Sequence, residues 1–158
     1  MIVETGTFEG GSARFFADLL ELNGEGRVVS VDLAGDYERP ADERITYLSG
    51  SSVDPAVLAQ VAKRVGACKR VMVVLDSDHT EEHVREELRH YAPFVTPGSY
   101  LIVEDSNLNG HPVAPWFGPG PMEAVDAFIA ENHDFVRDRT CEKFLLSFNP
   151  GGWLRRRS

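Results

Sequence analysis

The run Arg70–Asp76 (R-V-M-V-V-L-D) narrows the folds open to this chain more than any other segment. It is apolar almost throughout, without the polar alternation of a half-exposed strand. A strand of that kind is buried on both faces and belongs to a mostly parallel sheet with helices packed on either side. The rest of the chain fits that frame, because strand and helix signals alternate.

The pattern begins with a short strand, Ile2–Thr5, running into a turn over Gly6–Gly11, after which Ser12 opens a helical stretch closed by Asn23-Gly24. Further strands are expected over Arg27–Asp32, Arg44–Leu48, Arg70–Asp76 and Tyr100–Glu104. Helices are expected from Asp54-Pro55 to Val65, from Thr80, as the capping residue, to Pro93, and over Pro121–Asn132. Asn107–Gly120 reads as a long Pro- and Gly-rich loop carrying Trp116 and Phe117. The connection between Phe135–Arg139 and Phe144–Phe148 is too short for a parallel crossover, so that last pair is expected to be antiparallel. The fold class is therefore α/β, one doubly wound and mostly parallel sheet with an antiparallel ending.

Two of the apolar strands end abruptly in acid, V-V-L-D-S-D-H (Val73–His79) and L-I-V-E-D-S-N (Leu101–Asn107). If they are neighbours, Asp76, Glu104 and Asp105 converge at the carboxyl edge of the sheet, where open α/β sheets bind ligands. Three carboxylates there repel one another unless a cation such as Mg²⁺ joins them. The alternative is that each acid simply opens a solvated loop.

The turn V-E-T-G-T-F-E-G-G-S (Val3–Ser12) offers free backbone N–H groups at a helix start. Its spacing, G-x-x-x-G-G, departs from the dinucleotide fingerprint and counts against NAD. Glu4 can face a positively charged ligand group, and Asp32 ends the second strand where an acid can hold a ribose diol. A tight turn beside an unrelated surface Asp is the plainer alternative. Gly50, Ser51 and Ser52 suit either an adenine wall or a helix-capping loop.

With 158 residues the chain is one domain's worth. Its formal net charge of −9 argues against a nucleic-acid partner. Arg155–Arg157 reads as a solvated tail. Cys68 and Cys141 have no metal or redox spacing, no signal segment opens the chain, and no apolar run is long enough for a membrane span. A cytoplasmic protein is the expectation.

The segments E-T-G-T-F-E-G-G-S, L-D-S-D-H, V-E-D-S-N-L-N-G-H-P, F-G-P-G-P-M-E-A-V and F-N-P-G-G-W-L, in this order, resemble the class I S-adenosylmethionine-dependent methyltransferases. Among these they are most similar to the metal-dependent, catechol-type O-methyltransferases, and closest to the family labelled cephalosporin hydroxylase. The resemblance implies a Rossmann-like sheet with helices on both faces, forming one methyltransferase domain over residues 1–158. It places Gly6, Thr7 and Ser12 along the methionine end of the cofactor, Glu4 near its amino group, Asp32 on the ribose, and Ser51 and Ser52 along the adenine. Asp76, Glu104 and Asp105 would bind Mg²⁺, with Asp76 also bordering the cofactor. His79, in the place of the catechol-type lysine, would be the base that acts with Asp76.

Trp116 and Phe117 would form a lid or acceptor wall, or else anchor their own loop. His111 would have weak access to substrate, and His83 and His90 would face solvent. The implied partner is a small-molecule hydroxyl acceptor of antibiotic, sugar or phenol type, and the implied assembly is a homo-oligomer. Relatives of this kind carry helices before the first strand, whereas this chain begins at it. The resemblance thus implies either a trimmed form or a partner subunit over that flank. Two other functions compete: a non-haem iron hydroxylase using His79, His111 and Asp76, and a catalytically silent binding module.

Overall fold

Val73, Val74 and Leu75 lie in the interior of a seven-stranded sheet in a computed structural model that describes residues 1–158 apart from Ala34, Leu145 and Leu146. The strands are β1 (Ile2–Thr5), β2 (Val28–Asp32), β3 (Ile45–Ser49), β4 (Met72–Leu75), β5 (Tyr100–Val103), β6 (Phe135–Arg137) and β7 (Trp153–Arg156). The helices are α1 (Gly11–Leu22), α2 (Pro55–Val65), α3 (Glu81–Tyr91) and α4 (Pro121–Glu131). Strand order is β3-β2-β1-β4-β5-β7-β6, so the direction of winding reverses between β1 and β4. The five strands from β3 to β5 are parallel, and β7 is antiparallel to both of its neighbours.

Successive residues of a strand point to opposite faces. Val73 and Leu75 join a large core with Val57, Val61 and Val65 of α2, Val84 and Leu88 of α3, and Ala124 and Val125 of α4. Val74 faces the other way, into a cluster with Ile2, Ile102 and, from α1, Phe16 and Leu20. Helices cover both faces, as the unbroken apolar run requires. No helix joins β2 to β3 among the described residues.

The expected ending needs correction. Leu145 and Leu146 of the strand expected over Phe144–Phe148 lie outside the described residues, and Phe144 and Phe148 are exposed. The strand that pairs with β6 is Trp153–Arg156. Leu154 of this strand is fully buried in the main core, which gives it an anchor. The turn before it also favours this choice: a Cβ on Gly152 would stand 2.2 Å from the Val103 carbonyl oxygen, so only glycine lets the chain enter beside β5. Arg155 and Arg156 are therefore strand residues, not a loose tail. The Arg156 guanidinium donates to the Val95 carbonyl and lies over the Phe135 ring.

A smaller correction concerns α3. Thr80 occupies its capping position, but its side chain makes no capping bond. Asp78 Oδ1 accepts from the Thr80 N–H at 2.8 Å instead. By contrast, Asp54 caps α2 as expected, accepting from the Ala56 N–H at 2.7 Å.

Candidate functional site

The ladder carries the acids to one edge. Asp76 N–H donates to Thr5 O at 3.0 Å, and Glu104 N–H to Leu75 O at 2.9 Å. The chain then turns sharply at Asp105, which adopts a left-handed conformation (φ 53°), one that Asp tolerates better than most residues. Its N–H is held by Asn149 Oδ1 at 3.1 Å. The result is a group of three, Asp76, His79 and Asp105, whose potential ligand atoms all lie within 4.8 Å of one another. His79 Nε2 is 3.3 Å from Asp76 Oδ1 and 3.2 Å from Asp105 Oδ2. Glu104, the third carboxylate expected at this edge, is outside that group, and its charge raises the Asp76 carboxyl.

Burial pushes the Asp76 carboxyl up to about 7, and the negative charges of Glu104, Asp105, Glu4 and Glu87 push in the same direction. Burial also raises Glu104, against a hydrogen bond from Asn149. Carboxylates crowded enough to hold one another's protons fit a divalent cation, which removes the repulsion. His111 is absent from the group. Its Nε2 lies 3.0 Å from Glu123 Oε1, so the two-histidine iron set is not assembled among the described residues.

A cleft of about 710 Å³ opens next to the acids, between the carboxyl ends of β1, β2 and β4. Gly6, Asp32, Ser51, Ser52 and Asp76 all line it. Asp32 holds the glycine turn: its Oδ2 accepts from the Phe8 N–H at 2.6 Å and its Oδ1 from the Leu33 N–H at 2.7 Å. Arg39 also reaches Asp32 Oδ2, at 3.3 Å, with its guanidinium close to the rings of Tyr37 and Tyr47. Sequence reasoning missed Arg39, which stands in a loop without periodicity.

Glu4 and Thr7 lie below the turn rather than in the open cleft. Glu4 Oε2 accepts from Ser30 Oγ at 2.5 Å, and Thr7 Oγ1 stands 2.6 Å from the same hydroxyl. Burial raises the Glu4 carboxyl, with hydrogen bonds from Ser12 and Ser30 opposing. Ser51 Oγ accepts a long bond from the Val53 N–H at 3.4 Å, so its loop does serve as a turn into α2. Ser52 is buried, and His83, expected to face solvent, lines the cleft beside it.

Glu123 is a second residue that the sequence reading missed. It closes the Asn107–Gly120 loop from the first turn of α4. Oε1 accepts from Asn109 Nδ2 at 2.8 Å and lies 3.0 Å from His111 Nε2, while Oε2 accepts from the Gly120 N–H at 2.8 Å. Burial alone would raise this carboxyl, but the bonds from His111, Gly120 and Asn109 outweigh it and hold it at about 2. Trp116, at the tip of the same loop, is 84% exposed. The only sequence signal for Glu123 is its place at the third helical position, where a carboxylate reaches back to the capping N–H.

Glu123→Ala is expected to cost about 1–2 kcal/mol in urea unfolding and to make the loop the first site of proteolysis. A carboxyl depressed from 4.5 to about 2 stabilises the fold above about pH 4.5, and that contribution is lost as pH falls toward 2. The wild-type advantage over Glu123→Ala should therefore shrink below that pH.

Against known proteins, the chain is 38% identical over 161 residues to the rhamnosyl O-methyltransferase of Mycobacterium tuberculosis, covering 98% of this chain and 66% of that protein. It spans slightly less than two thirds of that relative's length. Its fold is that of solved methyltransferase structures. A CmcI structure with Mg and SAM superposes with a TM-score of 0.69 at 22% identity, over 99% of this chain and 64% of that one. A structure of MycE, a methyltransferase of the mycinamycin biosynthetic pathway in complex with Mg and SAH, gives 0.62 at 23%, over 81% and 34%. Over residues 1–157 the sequence matches the family described as rhamnosyl O-methyltransferase/CmcI, and the chain belongs to that family.

Proposed function

We propose that this protein transfers the methyl group of S-adenosylmethionine to a hydroxyl oxygen of a small molecule, with Mg²⁺ at the sheet edge. One observation carries the reading: Asp76 both lines the nucleoside-sized cleft and belongs to the cation-sized acid group. A cofactor in the cleft and an acceptor on the metal would thus meet at one residue. The relatives' name favours a glycosyl hydroxyl, with a rhamnoside as the first acceptor to try.

Asp32 would hold the ribose hydroxyls, and Gly6 leaves room where the turn crosses Asp76. Ser52 would lie along the base, with Ser51 at the edge of its turn. Glu4, through Ser12 and Ser30, would set the charge under the methionine end. Asp76 and Asp105 would hold Mg²⁺, with Glu104 adding charge beside them. Mg²⁺ held there would supply Lewis acidity, making the acceptor hydroxyl easier to deprotonate. His79, whose Nε2 lies within 3.3 Å of both aspartates, would be the base for the acceptor hydroxyl. Trp116 and Phe117 would flank the acceptor and exclude water. Holding the reactants in line is the larger part of the task, since positioning can be worth up to about 7–11 kcal/mol.

The test is transfer of labelled methyl from S-adenosylmethionine to an alkyl rhamnoside in the presence of Mg²⁺. Asp32→Ala should raise KM for the cofactor about tenfold or more and leave KM for the acceptor near its wild-type value. Equal effects on both, or no effect, would remove Asp32 from the cofactor site.

A further inference from the structure

His83, Glu87 and Tyr91 follow one another at four-residue intervals on α3 and so share one face. Glu87 and Tyr91 are fully buried there. Glu87 Oε1 accepts from Ser77 Oγ at 2.7 Å, while Glu87 Oε2 has no partner. The Tyr91 hydroxyl donates to the Ser52 carbonyl at 2.8 Å. His83 Nε2 stands 3.1 Å from Ser77 Oγ, 3.0 Å from Ser52 Oγ and 3.5 Å from Glu87 Oε1. A carboxylate in a helix core is costly, and an apolar residue of similar volume often serves stability as well. This stripe instead pins two loops, those holding Ser52 and Ser77, and both serines line the cleft with His83.

The hydrogen count favours a hydrogen on His83 Nε2, in the neutral ring or the imidazolium. A serine hydroxyl has one hydrogen, and that of Ser77 goes to Glu87. Ser77 Oγ can then only accept from His83, so Nε2 carries a hydrogen. Ser52 cannot donate to a nitrogen that is itself a donor, and its own hydrogen is left unspent. Glu87 favours this state, raising the His83 ring above its ordinary range against the effect of burial, with Asp78 adding a smaller push.

We propose that His83 is a positioning residue for the base of the nucleoside cofactor, keeping the Ser52 hydroxyl hydrogen free for an acceptor nitrogen of a purine. The inference rests on the nucleoside reading of the cleft given above. The role belongs to the N–H at Nε2, so a glutamine at the same place, which also carries an N–H donor, should substitute in part.

Calorimetric titration with S-adenosylhomocysteine tests it, on wild type, Ser52→Ala, His83→Ala, His83→Gln and the Ser52→Ala/His83→Ala pair. Each alanine variant should bind about tenfold more weakly. The pair should be no weaker than either single variant, because His83 acts through Ser52. His83→Gln should recover part of the loss. Additive losses, or wild-type affinity in His83→Ala, would overturn the inference while leaving the nucleoside reading intact. Absence of binding by wild type would instead remove the nucleoside reading and this inference with it.

Discussion

Gly6→Ala is expected to cost the fold about 3–5 kcal/mol, read as a shift of the urea unfolding midpoint. A Cβ at this position would lie 1.8 Å from the Asp76 carbonyl oxygen and 2.4 Å from its carbon. Both are backbone atoms of the chain leaving β4, so no side chain can move aside. The φ of 86° adds about 1–2 kcal/mol for any residue with a Cβ. Gly24 provides the control. Its φ is 83°, but nothing stands within 4 Å of its Cβ position. Gly24→Ala should therefore show only the backbone cost, and the difference between the two variants measures the collision of the glycine turn with Asp76.

Asp76→Asn is expected to lower turnover about a thousandfold, the equivalent of some 4 kcal/mol of lost transition-state stabilisation. On the proposed reading it would remove the charge of a metal ligand that also lines the cleft meant for the cofactor. Its effect on stability should have the opposite sign in metal-free protein. A carboxyl raised from 3.8 to about 7 keeps its proton longer in the folded state than in the unfolded one. Wild-type stability should then decline as pH rises from about 4 to about 7, and Asp76→Asn should lose that decline. Mg²⁺ should counter the repulsion, raising Tm more at about pH 8 than at about pH 6. A Tm increment from Mg²⁺ that is independent of pH, or equally large in Asp76→Asn, would contradict the assignment.

Much of this was legible because burial leaves a periodic trace. Val73 and Leu75 on one face and Val74 on the other are what an unbroken apolar run requires, and the acids at its end fall where a parallel sheet puts its ligands. The ending was less legible. Phe144–Phe148 reads as apolar, yet its two phenylalanines are exposed, and Leu154, flanked by tryptophan and arginine, supplies the buried contact. There the choice was made by Gly152, whose importance lies in its distance from Val103.

The site divides in the same way. Asp32, Asp76 and Asp105 sit at strand ends and were visible. Arg39, Glu123 and His83 were not, because each acquires its role from partners distant in sequence: Asp32 and Phe8 for Arg39, the Asn109–His111 turn for Glu123, and Ser52 for His83.

The most direct measurement uses Mn²⁺ in place of Mg²⁺ with S-adenosylmethionine labelled with ¹³C at its methyl group. Paramagnetic broadening of the methyl signal reports how near the metal lies to the group to be transferred. Wild-type protein should broaden the signal strongly, and Asp76→Asn at the same Mn²⁺ concentration should not. Cofactor bound to wild type with a sharp methyl resonance would place the metal away from the reacting carbon and contradict a shared site at Asp76.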